Sequence, residues 1–110
     1  MYYNFEFGDK AYKLRLNTRS IVNLEKVLGC NPLAVFGLDG SKIPTVTTMV
    51  HILHNSLQQY HHGITLDKAF DIFDAYLESG KMPTDFILEI LEIYKVSGII
   101  NADTEETEKN

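Results

Sequence analysis

The sequence predicts a mainly α domain of the α+β class: an N-terminal β-hairpin packed on a compact bundle of about four main helices, followed by a disordered acidic tail. Three observations predict it. Residues 2–16 alternate apolar and polar side chains; residues 18–97 carry apolar side chains at helical spacing between clear start and stop residues; residues 101–110 hold four acids and no apolar residue but Ala102. A chain of 110 residues, 45% hydrophobic and 11% aromatic, has enough material for one core, so residues 1–100 are expected to form a single domain.

In the hairpin, Tyr3, Phe5, Phe7, Tyr12, Leu14 and Leu16 point one way, Asn4, Glu6, Lys13 and Arg15 the other, and Gly8-Asp9 makes the turn. Two strands alone are marginal in water, so the apolar face needs helices to cover it. The first helix, about 18–28, starts at Asn17 or Thr18, turns Ile21, Leu24, Val27 and Leu28 inward, and stops at Gly29. Asn31-Pro32 then restarts the chain as a short helical turn over 32–36.

The loop from Gly37 to Pro44 contains Gly-Leu-Asp-Gly-Ser-Lys, whose order and spacing miss the phosphate-cradling pattern. A long helix over about 45–61 follows, with Val46, Met49, Val50, Leu53, Leu57 and Tyr60 at helical intervals and Gly63 closing it. Thr65 caps the next, about 66–79, whose expected inward residues are Leu66, Ala69, Phe70, Phe73, Tyr76 and Leu77, with Gly80 at its end.

The last helix, about 85–97, has the widest apolar face. Phe86, Ile87, Ile90, Leu91, Ile93 and Tyr94 share one arc, and Asp85, Glu89, Glu92 and Lys95 the opposite side. Thr84 or Asp85 is the expected N-cap, and Gly98 the left-handed stop that brings Ile99 back over Tyr94. So broad a face must meet several elements, which predicts that this helix sits at the centre of the core.

The formal net charge of −5 is unevenly spread: residues 1–42 hold six Lys/Arg against four Asp/Glu, and residues 43–110 four against eleven. An acidic total argues against nucleic acid as partner, since phosphate contacts need clustered Lys and Arg. The single cysteine, Cys30, cannot form an intramolecular disulfide and fits a reducing compartment, with the cytosol as default. No stretch approaches the apolar length of a membrane span, and MYYNFEFGDK lacks a basic leader followed by an apolar run.

His51, His54, His61 and His62 would project within one arc if their helix ran through residue 62. A metal-dependent enzyme using His51, His54 and His61 is one reading. The preferred one is a solvated flank, because no cysteine or carboxylate joins the set at ligand spacing. Asp67, Asp71, Asp74 and Glu78, spaced four, three and four apart, form one exposed stripe. Like charges at this spacing cost helix stability, so the stripe is either a solubilising face or a docking strip for a basic surface. Lys13 and Arg15 on the hairpin, with Arg19 just beyond, offer such a surface, which suggests head-to-tail self-association. Leu88 and Val96 fall in the polar sector of the last helix and are candidate partner contacts. No residues form a nucleophile elbow, a calcium loop or another catalytic signature, so the expectation is a non-enzyme with no metal or cofactor.

The order of these pieces resembles a known family. KAYKLRLNTRSIVNLEKVLGCNPLAVF, then PTVTTMVHILHNSLQQYHHGITLDKAFDIFDAYLESG, then FILEILEIYKVSGII is similar to the tail assembly chaperones of long-tailed bacteriophages, of the Gram-positive siphophage kind. The matching positions are Leu24, Glu25 and Gly29, Asn31-Pro32-Leu33, the Gly63-Ile64-Thr65 junction, and Tyr94 to Gly98, over about residues 5–100. The resemblance implies a cytoplasmic protein of the infected or prophage-bearing bacterial host that is not an enzyme and is absent from the virion. It implies binding to the tape measure protein, which is kept soluble, and recruitment of tail tube subunits. It further implies that a longer, frameshifted form would diverge near Asn101. The alternative is a general protein-interaction or regulatory module using the same acidic stripe and apolar helix.

Overall fold

The alternation near the N-terminus closes into an antiparallel hairpin of β1 (Tyr3–Phe7) and β2 (Lys10–Leu14), with Tyr3 opposite Leu14, Phe5 opposite Tyr12 and Phe7 opposite Lys10. The computed structural model describes residues 1–101, so the expected acidic tail lies, but for Asn101, outside the described residues. Gly8, at φ +55°, supplies the positive first central residue of the two-residue turn, a conformation that strains any L side chain. The turn thereby fixes the register that sends Phe5 and Leu14 into the core, and Leu16 beyond the strand is buried with them.

The helices are α1 (Thr18–Leu28), α2 (Val46–Leu57), α3 (Leu66–Glu78) and α4 (Asp85–Val96), with a 3₁₀ turn (Pro32–Phe36) between α1 and α2. Their starts follow from side-chain caps. Asn17 Oδ1 accepts from Ser20 N at 2.9 Å, Asn31 Oδ1 from Leu33 N at 2.8 Å, Thr45 Oγ1 from Thr48 N at 3.1 Å and Thr65 Oγ1 from Lys68 N at 3.1 Å. At α4 neither expected cap operates: Thr84 makes no capping bond, and the Asp85 carboxylate instead accepts from Met82 N at 2.7 Å, closing the preceding turn. The α4 C-terminus is as expected. Gly98, at φ +77°, donates to Lys95 O at 3.2 Å and Ile99 N donates to Tyr94 O at 2.9 Å, the paired bonds of a Schellman ending.

The centre of the core is α2 rather than α4. It packs against α1, α3, α4 and β2, whereas the main contacts of α4 are with α2 and β1. Besides Met49, Val50, Ile52, Leu53 and Leu57, α2 buries Asn55 and Ser56. These polar side chains are tolerated because they bond their own helix: Asn55 Nδ2 donates to His51 O at 2.9 Å and Ser56 Oγ to Leu53 O at 2.9 Å. The helix also stops short of residue 61. Gln58 Nε2 donates both to His54 O at 2.9 Å and to Ile64 O at 2.7 Å, so a side chain satisfies the end of the helix and ties it to the chain leading into α3.

Two residues expected inside are outside. Val27 is 52% exposed and Phe70 45% exposed. The buried arc of α3 is Ala69, Ile72, Phe73 and Tyr76, and Phe70 lies about 110° round from its centre. The core is welded by rings from β1, α3 and α4: Phe5 meets Tyr76 at 5.2 Å and Phe86 at 5.7 Å between centroids, and Phe73 meets Phe86 at 5.2 Å.

The chain leaving β2 is clamped between the ends of two helices. Lys13 N donates to His61 Nε2 at 2.9 Å, Arg15 N to Ser56 O at 2.9 Å and Leu16 N to Ser97 Oγ at 2.8 Å, while Ser97 Oγ donates to Ile93 O at 2.6 Å. The outer edge of β2 is therefore satisfied by helix ends instead of a third strand. The 37–44 loop folds on itself: Lys42 N donates to Phe36 O at 2.8 Å, and Asp39 Oδ1 accepts from Ser41 Oγ at 2.7 Å, which with the Ser41 N–H holds the Asp39 carboxyl below its ordinary range.

Candidate partner-binding surface

Spacing on α3 places Asp67, Asp71, Asp74 and Glu78 on its solvent side, and all four are exposed. What the spacing did not reveal is an aromatic ring among them. Phe70 sits one turn from both Asp67 and Asp74, giving this face an exposed apolar contact flanked by carboxylates. The available signal was the set of acids at −3, +1 and +4 around Phe70, which cannot all be solvated if the ring points inward. On α4, Leu88 is 66% exposed, opposite the buried Phe86, Ile90, Ile93 and Tyr94, and Met82 just before the helix is 59% exposed.

The other three candidates gather elsewhere, at the exit of β2. Val96 is half-buried, and its carbonyl accepts from Arg15 Nε at 3.5 Å; Arg15 also donates to Gln59 Oε1 at 3.4 Å. The guanidinium thus joins the C-terminal ends of α2 and α4, where the helix dipoles favour a cation. Lys13 is exposed, with Nζ 5.0 Å from the centre of the Tyr2 ring. Among the described residues, neither Lys13 nor Arg15 forms an ion pair with the α3 stripe.

The histidines separate because α2 ends at Leu57. His54 Nε2 donates to Ile64 O at 3.1 Å, and burial holds its pKa below the usual value. His61 Nε2 is committed as the acceptor for Lys13 N–H; burial, then the Lys13 charge, pushes its pKa down. Among the described residues, no three His, Cys, Asp or Glu side chains converge as a metal site requires.

Glu89, expected on the solvent side of α4, instead faces the seam between hairpin and α3. Its carboxylate accepts a short hydrogen bond from Tyr3 Oη and one of 3.0 Å from the fully buried Tyr76 Oη. Burial, reinforced by this carboxylate, raises both phenols above the ordinary tyrosine range. Tyr94 Oη donates to Pro32 O at 2.9 Å, docking the 3₁₀ turn on α4, and burial raises this phenol too. A cleft beside that turn, lined by Leu28, Cys30, Val35, Lys42, Pro44, Thr45 and Thr48, has a volume of ≈ 110 Å³, room for water and not for a metabolite-sized ligand. No helix among the described residues is long and apolar enough to cross a membrane.

The surface therefore offers side chains suited to protein contact: an acidic face with one exposed ring on α3, and an exposed leucine on α4. Comparison with curated proteins finds no match, and comparison with solved structures finds none. The model of a family of unknown function (DUF6096) matches residues 3–110. Matched over nearly its whole length, the chain belongs to that family, DUF6096.

Proposed function

We propose that this protein is a non-enzymatic tail assembly chaperone of a phage or prophage, acting in the cytoplasm of the bacterial host. It binds the long tape measure protein, holds it soluble and helps bring tail tube subunits to it. The observation that carries this reading is the pairing of exposed apolar side chains, Phe70 and Leu88, with acidic neighbours on helices whose other faces are buried in the core. Such faces suit helix-on-helix contact with an amphipathic partner, and a partner many helical turns long could be covered by repeated copies. The order of hairpin, capped helices and helix-ending glycines supports the resemblance on which the partner's identity rests.

The test is co-expression of the tagged protein with the long gene downstream of it. The expected result is that the tape measure protein becomes soluble and co-elutes with several copies of this chain, and that Phe70→Asp with Leu88→Asp abolishes co-elution while the variant stays folded. A tape measure protein that remains insoluble while this chain elutes alone would remove the reading. The second reading, a general interaction module, draws on the same exposed Phe70 and Leu88 without the resemblance, and it takes over in that event.

A further inference from the structure

The outward face of α1 mirrors that of α3. On α1, Val22 is 41% exposed and stands between exposed Arg19 and Lys26; on α3, Phe70 is 45% exposed and stands between exposed Asp67 and Asp74. In both helices the apolar residue lies three positions after the first charge and four before the second, so each pair of charges spans about 10.5 Å along its axis. Among the described residues, none of these four charged side chains makes an ion pair within the chain. Both helices pack on α2, and these faces turn away from it.

We propose that a second copy of this chain docks its α1 face on the α3 face of the first. With the helices side by side and parallel, Arg19 meets Asp67, Val22 meets Phe70 and Lys26 meets Asp74. Charges opposed at equal spacing set the register, and the covered ring and valine supply the apolar contact. Because the two faces differ, the contact is heterologous: each copy keeps one face of each kind open, and association proceeds past a dimer to a ring or an open chain. The basic half of the contact is α1 rather than the hairpin, since Arg15 is occupied at the ends of α2 and α4. The contact shares the Phe70 face of α3 with the tape measure reading, and its test uses this chain alone, so either can fail without the other.

Sedimentation velocity on the full chain over a wide concentration range tests it. The wild type is expected to pass beyond dimers as concentration rises and to dissociate with added salt, as the Debye length falls from about 10 Å at 0.1 M to about 3 Å at 1 M. Asp67→Lys with Asp74→Lys, and separately Arg19→Glu with Lys26→Glu, are each expected to weaken association by about tenfold or more at low salt. Mixing the two variants restores complementary faces and is expected to restore large assemblies, which also shows that both are folded. A wild type that stays monomeric overturns the proposal. So do assemblies that stop at dimers, assemblies unaffected by either reversal, and a mixture that does not recover.

Discussion

Tyr76 of α3 and Glu89 of α4 are joined by a hydrogen bond of 3.0 Å, and the same carboxylate accepts from Tyr3 of the hairpin. One acid thus ties three elements together at a seam otherwise made of rings. Glu89→Ala strips the acceptor from two phenols, one of them fully buried, and is expected to cost about 2–3 kcal/mol in urea unfolding. Glu89→Gln keeps an acceptor oxygen and should cost about 1 kcal/mol. Equal stability of all three proteins would show that the bonds are replaceable by water.

Ser97 acts in two directions, accepting from Leu16 N and donating to Ile93 O. Ser97→Ala leaves the Leu16 amide without its partner and is expected to lose about 1–2 kcal/mol. Amide exchange reads this locally: Leu16 should exchange much faster in the variant, with amides of α1 changing only as far as global stability falls.

Acidification should destabilise the fold through His61 and His54. Both pKa values lie below the usual histidine value of about 6.5, so on lowering the pH the unfolded chain takes up protons first. Stability from these groups is fully present above about pH 6.5 and is lost as the pH falls from there toward the folded-state values. Protonating His61 also removes the acceptor for Lys13 N–H. Urea midpoints at pH 7.5 and 5.5 should differ in that direction, and His61→Gln, which retains an acceptor, should reduce the difference.

Neighbouring phenylalanines of one helix should behave oppositely. Phe73 is 2% exposed and Phe70 45% exposed. Phe73→Ala is expected to cost about 3–5 kcal/mol, and Phe70→Ala to stay within about 0.5 kcal/mol of wild type. Thermal unfolding of the two variants distinguishes them, and a large loss at Phe70 would place that ring in the core.

The hairpin and the starts of α1, the 3₁₀ turn and α3 were legible because each depends on neighbours in sequence: alternation around Gly8, and caps at Asn17, Asn31 and Thr65. The centre of the core was not. Asn55 and Ser56 look like solvent-facing residues, and only their bonds to preceding carbonyls of α2 let that helix be buried on several sides. Glu89 and Arg15 misled for the same reason, being charged residues whose partners come from distant elements. The carboxylate stripe of the candidate surface was readable from spacing alone. The outward turn of Phe70 was signalled only by the acids around it, because hydrophobicity alone does not say which arc of a helix the neighbours cover.

The contact between β1 and α4 joins the first described element to the last. During synthesis, the aromatic face of the hairpin emerges early and has no α4 to cover it until residues 85–96 have left the ribosome. Phe5 therefore waits for Phe86 while the residues between them are made. Chains cut short before α4 should be captured by cellular folding factors, and completion of α4 is the event that covers the hairpin and releases it.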